Sequence, residues 1–142
     1  MQHHIHTLAD WDPFISDLLP SLKSGTIIAL SGPLGAGKTT FVQSLARVLG
    51  ISSIPTSPTF SLVRTYPIKQ HSSIKKLIHV DAYRLDNEKD VATLGLEDLL
   101  AEEGSLMCLE WPEQVESWLQ QHTHIIRMTI VQNPDDSRTV SL

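Results

Sequence analysis

The sequence predicts an α/β fold with a mainly parallel central sheet and antiparallel additions. Three observations lead there. The apolar run 26–30 passes through a glycine-rich turn straight into a helical pattern over 41–49. Two further apolar runs, Leu77-Ile78-His79-Val80-Asp81 and Leu106-Met107-Cys108-Leu109-Glu110, each end in a carboxylate, the end of a parallel strand at which ligands gather. Finally, an alternating run over 123–131, a turn at Asn133-Pro134-Asp135-Asp136 and a last strand over 137–142 read as an antiparallel hairpin.

In chain order, Met1-Gln2-His3-His4-Ile5-His6 is a histidine-rich stretch expected to be a flexible end with no specific metal bound. Thr7 is placed to cap a helix with apolar positions at Leu8, Trp11, Phe14, Ile15, Leu18, Leu19 and Leu22, and Pro13 sets its start near Asp12. Gly25 suits the left-handed residue past its end. Gly32, Gly37, Lys38 and Thr39 then fill every fixed position of G-x-x-x-x-G-K-[ST], the phosphate-binding loop of nucleoside-triphosphate-binding proteins. Glycines let successive backbone N–H groups turn inward around an anion, and the following helix brings its unpaired N–H groups to the same spot. Lys38 would reach the β- and γ-phosphate oxygens, and the Thr39 hydroxyl would complete a magnesium shell. The chain is therefore expected to form a P-loop NTPase-type three-layer sandwich.

Residues 54–66 carry two prolines and a crowd of hydroxyls, Thr56, Ser57, Thr59 and Ser61. Thr59 is the candidate for sensing a γ-phosphate from a switch loop; a rigid connector with no ligand is the alternative. Residues 69–76 read as a solvated, basic hairpin tip. Asp81 and Glu110 compete for the acidic place beside magnesium, and one of them would hold or polarise water. His79, two residues before Asp81, reads as a buried histidine able to tune that site. Residues 86–103 are helical with a break at Gly95, and 113–121 form a short helix after Pro112.

The 142 residues fit one domain, 1–142, long enough to bury a core. With 41% hydrophobic and 19% charged residues the chain is globular in type. A net charge of -5 and a pI of about 5.7 argue against a broad DNA- or RNA-binding face. The lone Cys108, the lack of a membrane-length apolar run and of a signal-peptide pattern lead to the expectation of a cytoplasmic protein.

Four stretches together resemble the TsaE (YjeE) family. They are Gly-x-Leu-Gly-Ala-Gly-Lys-Thr-Thr at 32–40, Ser-Pro-Thr-Phe-x-Leu-Val at 57–63, His-x-Asp-x-Tyr-Arg-Leu at 79–85 and Leu-Glu-Trp-Pro-Glu at 109–113. The family comprises bacterial ATPases needed to form threonylcarbamoyladenosine at position 37 of tRNA. The resemblance covers nearly the whole chain. It implies ATP binding through Gly32, Gly35, Ala36, Gly37, Lys38, Thr39 and Thr40, with magnesium held by Thr39 and Glu110. It further implies an essential Asp81, a switch-like loop at Ser57, Pro58 and Thr59, Trp111 in the active-site region, and Thr7 near adenine. The implied partners are TsaD and TsaB, with tRNA reached indirectly and no membrane or DNA. The implied activity is slow, magnesium-dependent ATP hydrolysis that those partners stimulate. Pro33 departs from the family, which usually has an acidic or amide residue there; proline has no N–H to offer a phosphate.

Other readings follow from the same residues. A small-molecule kinase would want an arginine-bearing lid, whereas Arg47, Arg64, Arg84, Arg127 and Arg138 are scattered. A GTPase would want an Asn-Lys-x-Asp guanine reader, which the chain lacks. A nucleotide-gated adaptor without catalysis is the third. For an arginine finger, Arg64 and Arg84 are the candidates in cis, and a partner is the source in trans.

Overall fold

The computed structural model describes residues 1–53, 55, 63–85 and 89–142. Its strands are β1 (Gln2–Ile5), β2 (Thr26–Ser31), β3 (Val63–Pro67), β4 (Lys76–Asp81), β5 (Ser105–Glu110), β6 (Ile125–Gln132) and β7 (Arg138–Ser141). They form one seven-stranded sheet in the order β1-β7-β6-β2-β5-β4-β3. The four central strands β6, β2, β5 and β4 run parallel, while β3 pairs antiparallel with β4 at one edge and, at the other, β7 pairs antiparallel with β6 and β1 antiparallel with β7. A parallel sheet must be covered on both faces, so its strands read as unbroken apolar runs. β2 and β5 do so, with every residue of β5 buried.

The helices are α1 (Trp11–Leu18), α2 (Lys38–Val48), α3 (Asp90–Leu94), α4 (Leu96–Ala101) and α5 (Glu116–Leu119). On one face, Phe14 and Ile15 of α1 and Phe41 and Leu45 of α2 pack over Ile28, Leu30, Cys108 and Met128. On the other, Val91, Leu96, Leu100, Trp118 and Leu119 from α3 to α5 cover Ile27, Ala29, Val80, Met107 and Leu109. Phe41 and Leu45 are fully buried, which stabilises the α2 contact by about 2–3 kcal/mol per side chain.

Several element boundaries differ from the sequence expectation. The histidine-rich amino end is an edge strand: β1 pairs with β7 from Gln2↔Ser141 to Ile5↔Arg138. Ile5 is buried, and the His3 ring meets Phe14 edge-on at 4.9 Å, so this strand is held by α1 as well as by β7, more than a hundred residues away in sequence. A 3-10 turn, Leu8–Asp10, precedes α1. Helix α2 begins at Lys38 and not at residue 41, because Gly37 at φ +112° ends the loop there. The helix expected over 113–121 is split into a 3-10 turn at Pro112–Val115 and α5, since Val115 adopts φ −134°, ψ 31°. The break at Gly95 (φ +69°) and the hairpins β3–β4 and β6–β7 are as expected. Among the described residues, no helix is long and apolar enough to cross a membrane.

Candidate functional site

The site forms where β2, β4 and β5 end side by side. The chain leaves β2 at Gly32, whose φ is +149° and whose absent Cβ would lie 2.3 Å from the Ile130 carbonyl oxygen. No other residue fits that approach, so the first glycine of the motif is dictated by β6 beneath it. The turn continues through Gly35 and Gly37 into α2, an 11-residue helix whose first turn points its amides back into the loop.

Lys38 is nearly buried at 5% exposure. Its ammonium donates to the carbonyls of Gly32 and Pro33, the latter at 3.0 Å. Pro33, which has no N–H to give a phosphate, thus supplies an oxygen to the lysine. The same ammonium lies 4.2 Å above the centre of the Trp111 ring, a cation–π contact. Burial pushes the Lys38 amine below its ordinary pKa, and the carboxylates of Glu110, Asp81 and Glu113 oppose that shift.

Glu110, the last residue of β5, is 3% exposed. The Thr39 hydroxyl, on the first turn of α2, is 3.2 Å from both of its carboxylate oxygens. From below, His79 Nε2 donates to Oε2 at 2.6 Å. His79 is fully buried, and its Nδ1 has no hydrogen-bond partner among the described residues. Asp81 stands beside Glu110 in the β4–β5 register. It is half-buried, and its Oδ1 accepts the Tyr83 amide at 3.0 Å. Tyr83 in turn packs its ring 4.9 Å from that of Trp111, whose backbone is held at φ +62° with its amide donating to Leu30. A bulky residue at positive φ is costly and persists only where its surroundings require it.

These groups line a cavity of about 230 Å³ that takes in Gly35, Lys38, Thr39, Asp81, Glu110 and Trp111. A second cavity of about 200 Å³ adjoins it across Gly37 and Thr40, walled by Ile5, His6, Thr7, Leu8 and Trp11. The Asp10 carboxylate fixes that wall by accepting the amides of His6 and Thr7 at 2.8 and 2.9 Å. A hard cation takes oxygen ligands, and the Thr39 hydroxyl and Glu110 carboxylate offer oxygens at the mouth of an amide-lined loop. Both cavities and donors therefore fit a magnesium-bound nucleotide. Among the described residues, no three His, Cys, Asp or Glu side chains gather as a metal cage.

The structure thus brings together Gly32, Gly35, Ala36, Gly37, Lys38, Thr39, Thr40, Asp81, Glu110 and Trp111, with Thr7 in the neighbouring cavity. Ser57, Pro58 and Thr59 lie outside the described residues. Arg64 is exposed on the edge strand β3 and Arg84 is exposed beyond β4; neither lines either cavity. The arginine that does is Arg138, whose Nε donates to the Ala36 carbonyl at 2.7 Å. No sequence signal joins these two residues, which are brought together only by the place of β7 in the sheet. His79 was legible as a buried histidine, but its grip on Glu110 was not.

Comparison with known proteins identifies the family of the chain. The family model described as "Threonylcarbamoyl adenosine biosynthesis protein TsaE" matches residues 5–140. The chain is similar to the tRNA threonylcarbamoyladenosine biosynthesis protein TsaE of Treponema pallidum, at 35% identity over 94% of this chain and 92% of that one. It is also similar to the protein of the same name from Bacillus subtilis, at 36% identity over 84% of this chain and 70% of that one. Among solved structures, YdiB of Bacillus subtilis superposes with a TM-score of 0.71 at 27% identity, covering 99% of this chain and 82% of that one. By the family match and by relatives aligned over most of its length, the chain belongs to the TsaE family of threonylcarbamoyl adenosine biosynthesis proteins.

Proposed function

We propose that this chain is a P-loop NTPase-type ATPase that binds ATP with magnesium and hydrolyses it slowly alone. It serves threonylcarbamoyladenosine formation at position 37 of tRNA by sustaining turnover of a TsaD–TsaB assembly in the cytoplasm, and touches tRNA only through that assembly. The observation that carries this reading is the meeting of the glycine loop, the α2 amino end, Lys38, Thr39 and Glu110 around one cavity.

The reaction is in-line attack of water on the γ-phosphorus, which breaks its bond to the bridging oxygen and releases ADP and phosphate. The α2 amides and the Lys38 ammonium face the negative charge that spreads over the transferred group. To do so, Lys38 exchanges the Gly32 and Pro33 carbonyls for phosphate oxygens. Thr39 and Glu110 are the residues that would hold a magnesium ion, which when bound would supply neutralising positive charge to the phosphates. Glu110 is buried and engaged by Thr39 and His79, so Asp81, half-buried at the solvent side, takes the task of orienting the attacking water. Trp111 and Tyr83 shield the lysine from solvent, which strengthens its interaction with an anion.

The test is magnesium-dependent ATP hydrolysis by the wild type and Glu110→Ala, each alone and with purified TsaD and TsaB. Stimulation by the partners in the wild type, lost in the variant, is the expected result. Phosphate transfer to a small acceptor instead would establish a kinase, and tight ATP binding without turnover in any mixture would establish a nucleotide-gated adaptor.

A further inference from the structure

On the face of the sheet that α3 to α5 cover, a cavity of about 450 Å³ lies between the α3–α4 pair and α5. It shares no lining residue with either cavity at the glycine loop. Val91 and Leu96 line one side and Trp118 the other, and all three are buried members of the apolar cluster on that face. Gly95 keeps the middle open, because a Cβ built there would meet nothing within 4 Å. The Trp118 indole is fixed in place. Its Nε1 donates to Glu97 Oε1 at 2.7 Å, and His122 Nε2 lies 2.9 Å from the same oxygen. These contacts tie α4 to α5 without filling the space between them.

The surroundings of this apolar groove are acidic. Glu97 and Asp98 line it, and Asp90 opens α3. All three are exposed, and neither Asp90 nor Asp98 has an ion-pair partner among the described residues. Among those residues, Lys89 is the one cation in the lining. An apolar floor beneath surplus carboxylates selects an apolar group flanked by positive charge and repels an acidic one.

Geometry narrows what can present such a group. The groove is open to solvent, whereas small-molecule sites bury roughly 70–90% of their ligand; a side chain carried on a larger body closes an open groove with its own surface. An added strand is excluded, since β2, β4 and β5 beneath are each paired on both sides. A helix laid between helices is the mode that remains.

We propose that this groove docks a helix of a protein partner, which seats one large apolar side chain against Leu96 and Trp118 and sets lysine or arginine beside Asp90 and Asp98. The dock lies clear of the glycine loop, so occupancy of one leaves the other accessible.

The experiment places a photoreactive benzophenone side chain at Ala92 on α3, at Ser117 on α5, or at Asp17 on α1 across the sheet, all exposed positions. The full chain is irradiated in growing cells, and the joined peptides are sequenced by mass spectrometry. The expected result is that Ala92 and Ser117 join the same protein segment, with helical apolar spacing and flanking lysine or arginine, and that Asp17 does not. A synthetic peptide of that segment then binds the purified chain in calorimetry. Its affinity falls about 10- to 100-fold in the double variant Asp90→Lys, Asp98→Lys and also falls with added salt, while the melting temperature of the variant is kept. A joined segment that is acidic or extended, a second copy of this chain, a nucleic acid or a small molecule would each overturn the proposal. So would the lack of any product at both groove positions, capture of the same segment at Asp17, or peptide binding that the double variant keeps.

Discussion

Removing His79 should cost this protein more than any other single change outside its apolar core. The imidazole is fully buried, and its Nε2 lies 2.6 Å from a Glu110 oxygen that is itself nearly inaccessible. In His79→Ala the hydrogen bond to a charged group is lost, worth about 1.5–3 kcal/mol. The space of the deleted ring adds about 1–2 kcal/mol. A total of roughly 2.5–5 kcal/mol is a large part of the stability of a domain of this size and corresponds to a melting point lower by roughly 8–15 °C. Urea unfolding of the wild type, His79→Ala, Glu110→Gln and the double variant separates the two contributions. A coupling of about 1 kcal/mol or more identifies the pair as one unit. In the same variants, the gain in ADP affinity on adding magnesium should fall about 10- to 100-fold for His79→Ala, as for groups that orient a metal ligand, while magnesium-free ADP binding is kept. Additive effects within about 0.5 kcal/mol, or an unchanged magnesium gain, would refute the reasoning.

Other outcomes follow from single observations. Gly32→Ala forces a Cβ against the Ile130 carbonyl at a φ reserved for glycine, and should destabilise by about 2–4 kcal/mol in chemical unfolding; a neutral result would mean that the loop adopts another path. The Cys108 thiol is pushed well up by burial and then by the Glu110 charge, so a thiol reagent should label it only on unfolding, and labelling at the native rate of a free thiol contradicts the buried strand. The Asp10 carboxyl is held below its ordinary value of 3.8 by the amides of Thr7 and His6. Its contribution is therefore present above that value and lost as the pH falls through the lower folded one, and Asp10→Asn should flatten this part of the acid unfolding curve; an identical curve for the variant rejects a stabilising role for the bonds from His6 and Thr7. Nucleotide binding should draw the Lys38 ammonium off the Trp111 ring and change tryptophan emission more in the wild type than in Trp111→Phe, which keeps Trp11 beside the second cavity; equal responses would show that Trp111 does not report the binding.

How much of this could be read from the sequence depends on how far apart the partners lie. The path from β2 through the loop to α2 was legible because every signal, apolar run, glycines and helical spacing, falls within 25 consecutive residues. The two carboxylates were legible because each ends its own apolar strand. What lies across the sheet was not. Glu110 is bonded by a histidine 31 residues away, Ala36 by an arginine 102 residues away, and the amino end becomes a strand only because β7 offers an unpaired edge. Short polar strands of this kind carry no periodic signal of their own. The lid-like placement of Trp111 over Lys38 required a positive φ that no residue type announces, since tryptophan disfavours it.

The order of strands across the sheet sets an order in time as the chain is made. β2 and its loop are synthesised early, yet their neighbours β5 and β6 follow only after some 75 residues or more, and β1 waits for β7. At ribosomal speeds that interval is on the order of ten seconds. During it the apolar strand β2 has no sheet to join, and the wall of the second cavity has neither Arg138 nor the edge that supports His6 and Thr7. The nascent chain can therefore possess its phosphate loop long before it possesses a place for the rest of a nucleotide. Ligand rescue of folding, in which a nucleotide traps a partly made domain, is closed to this topology until β7 has emerged from the exit tunnel.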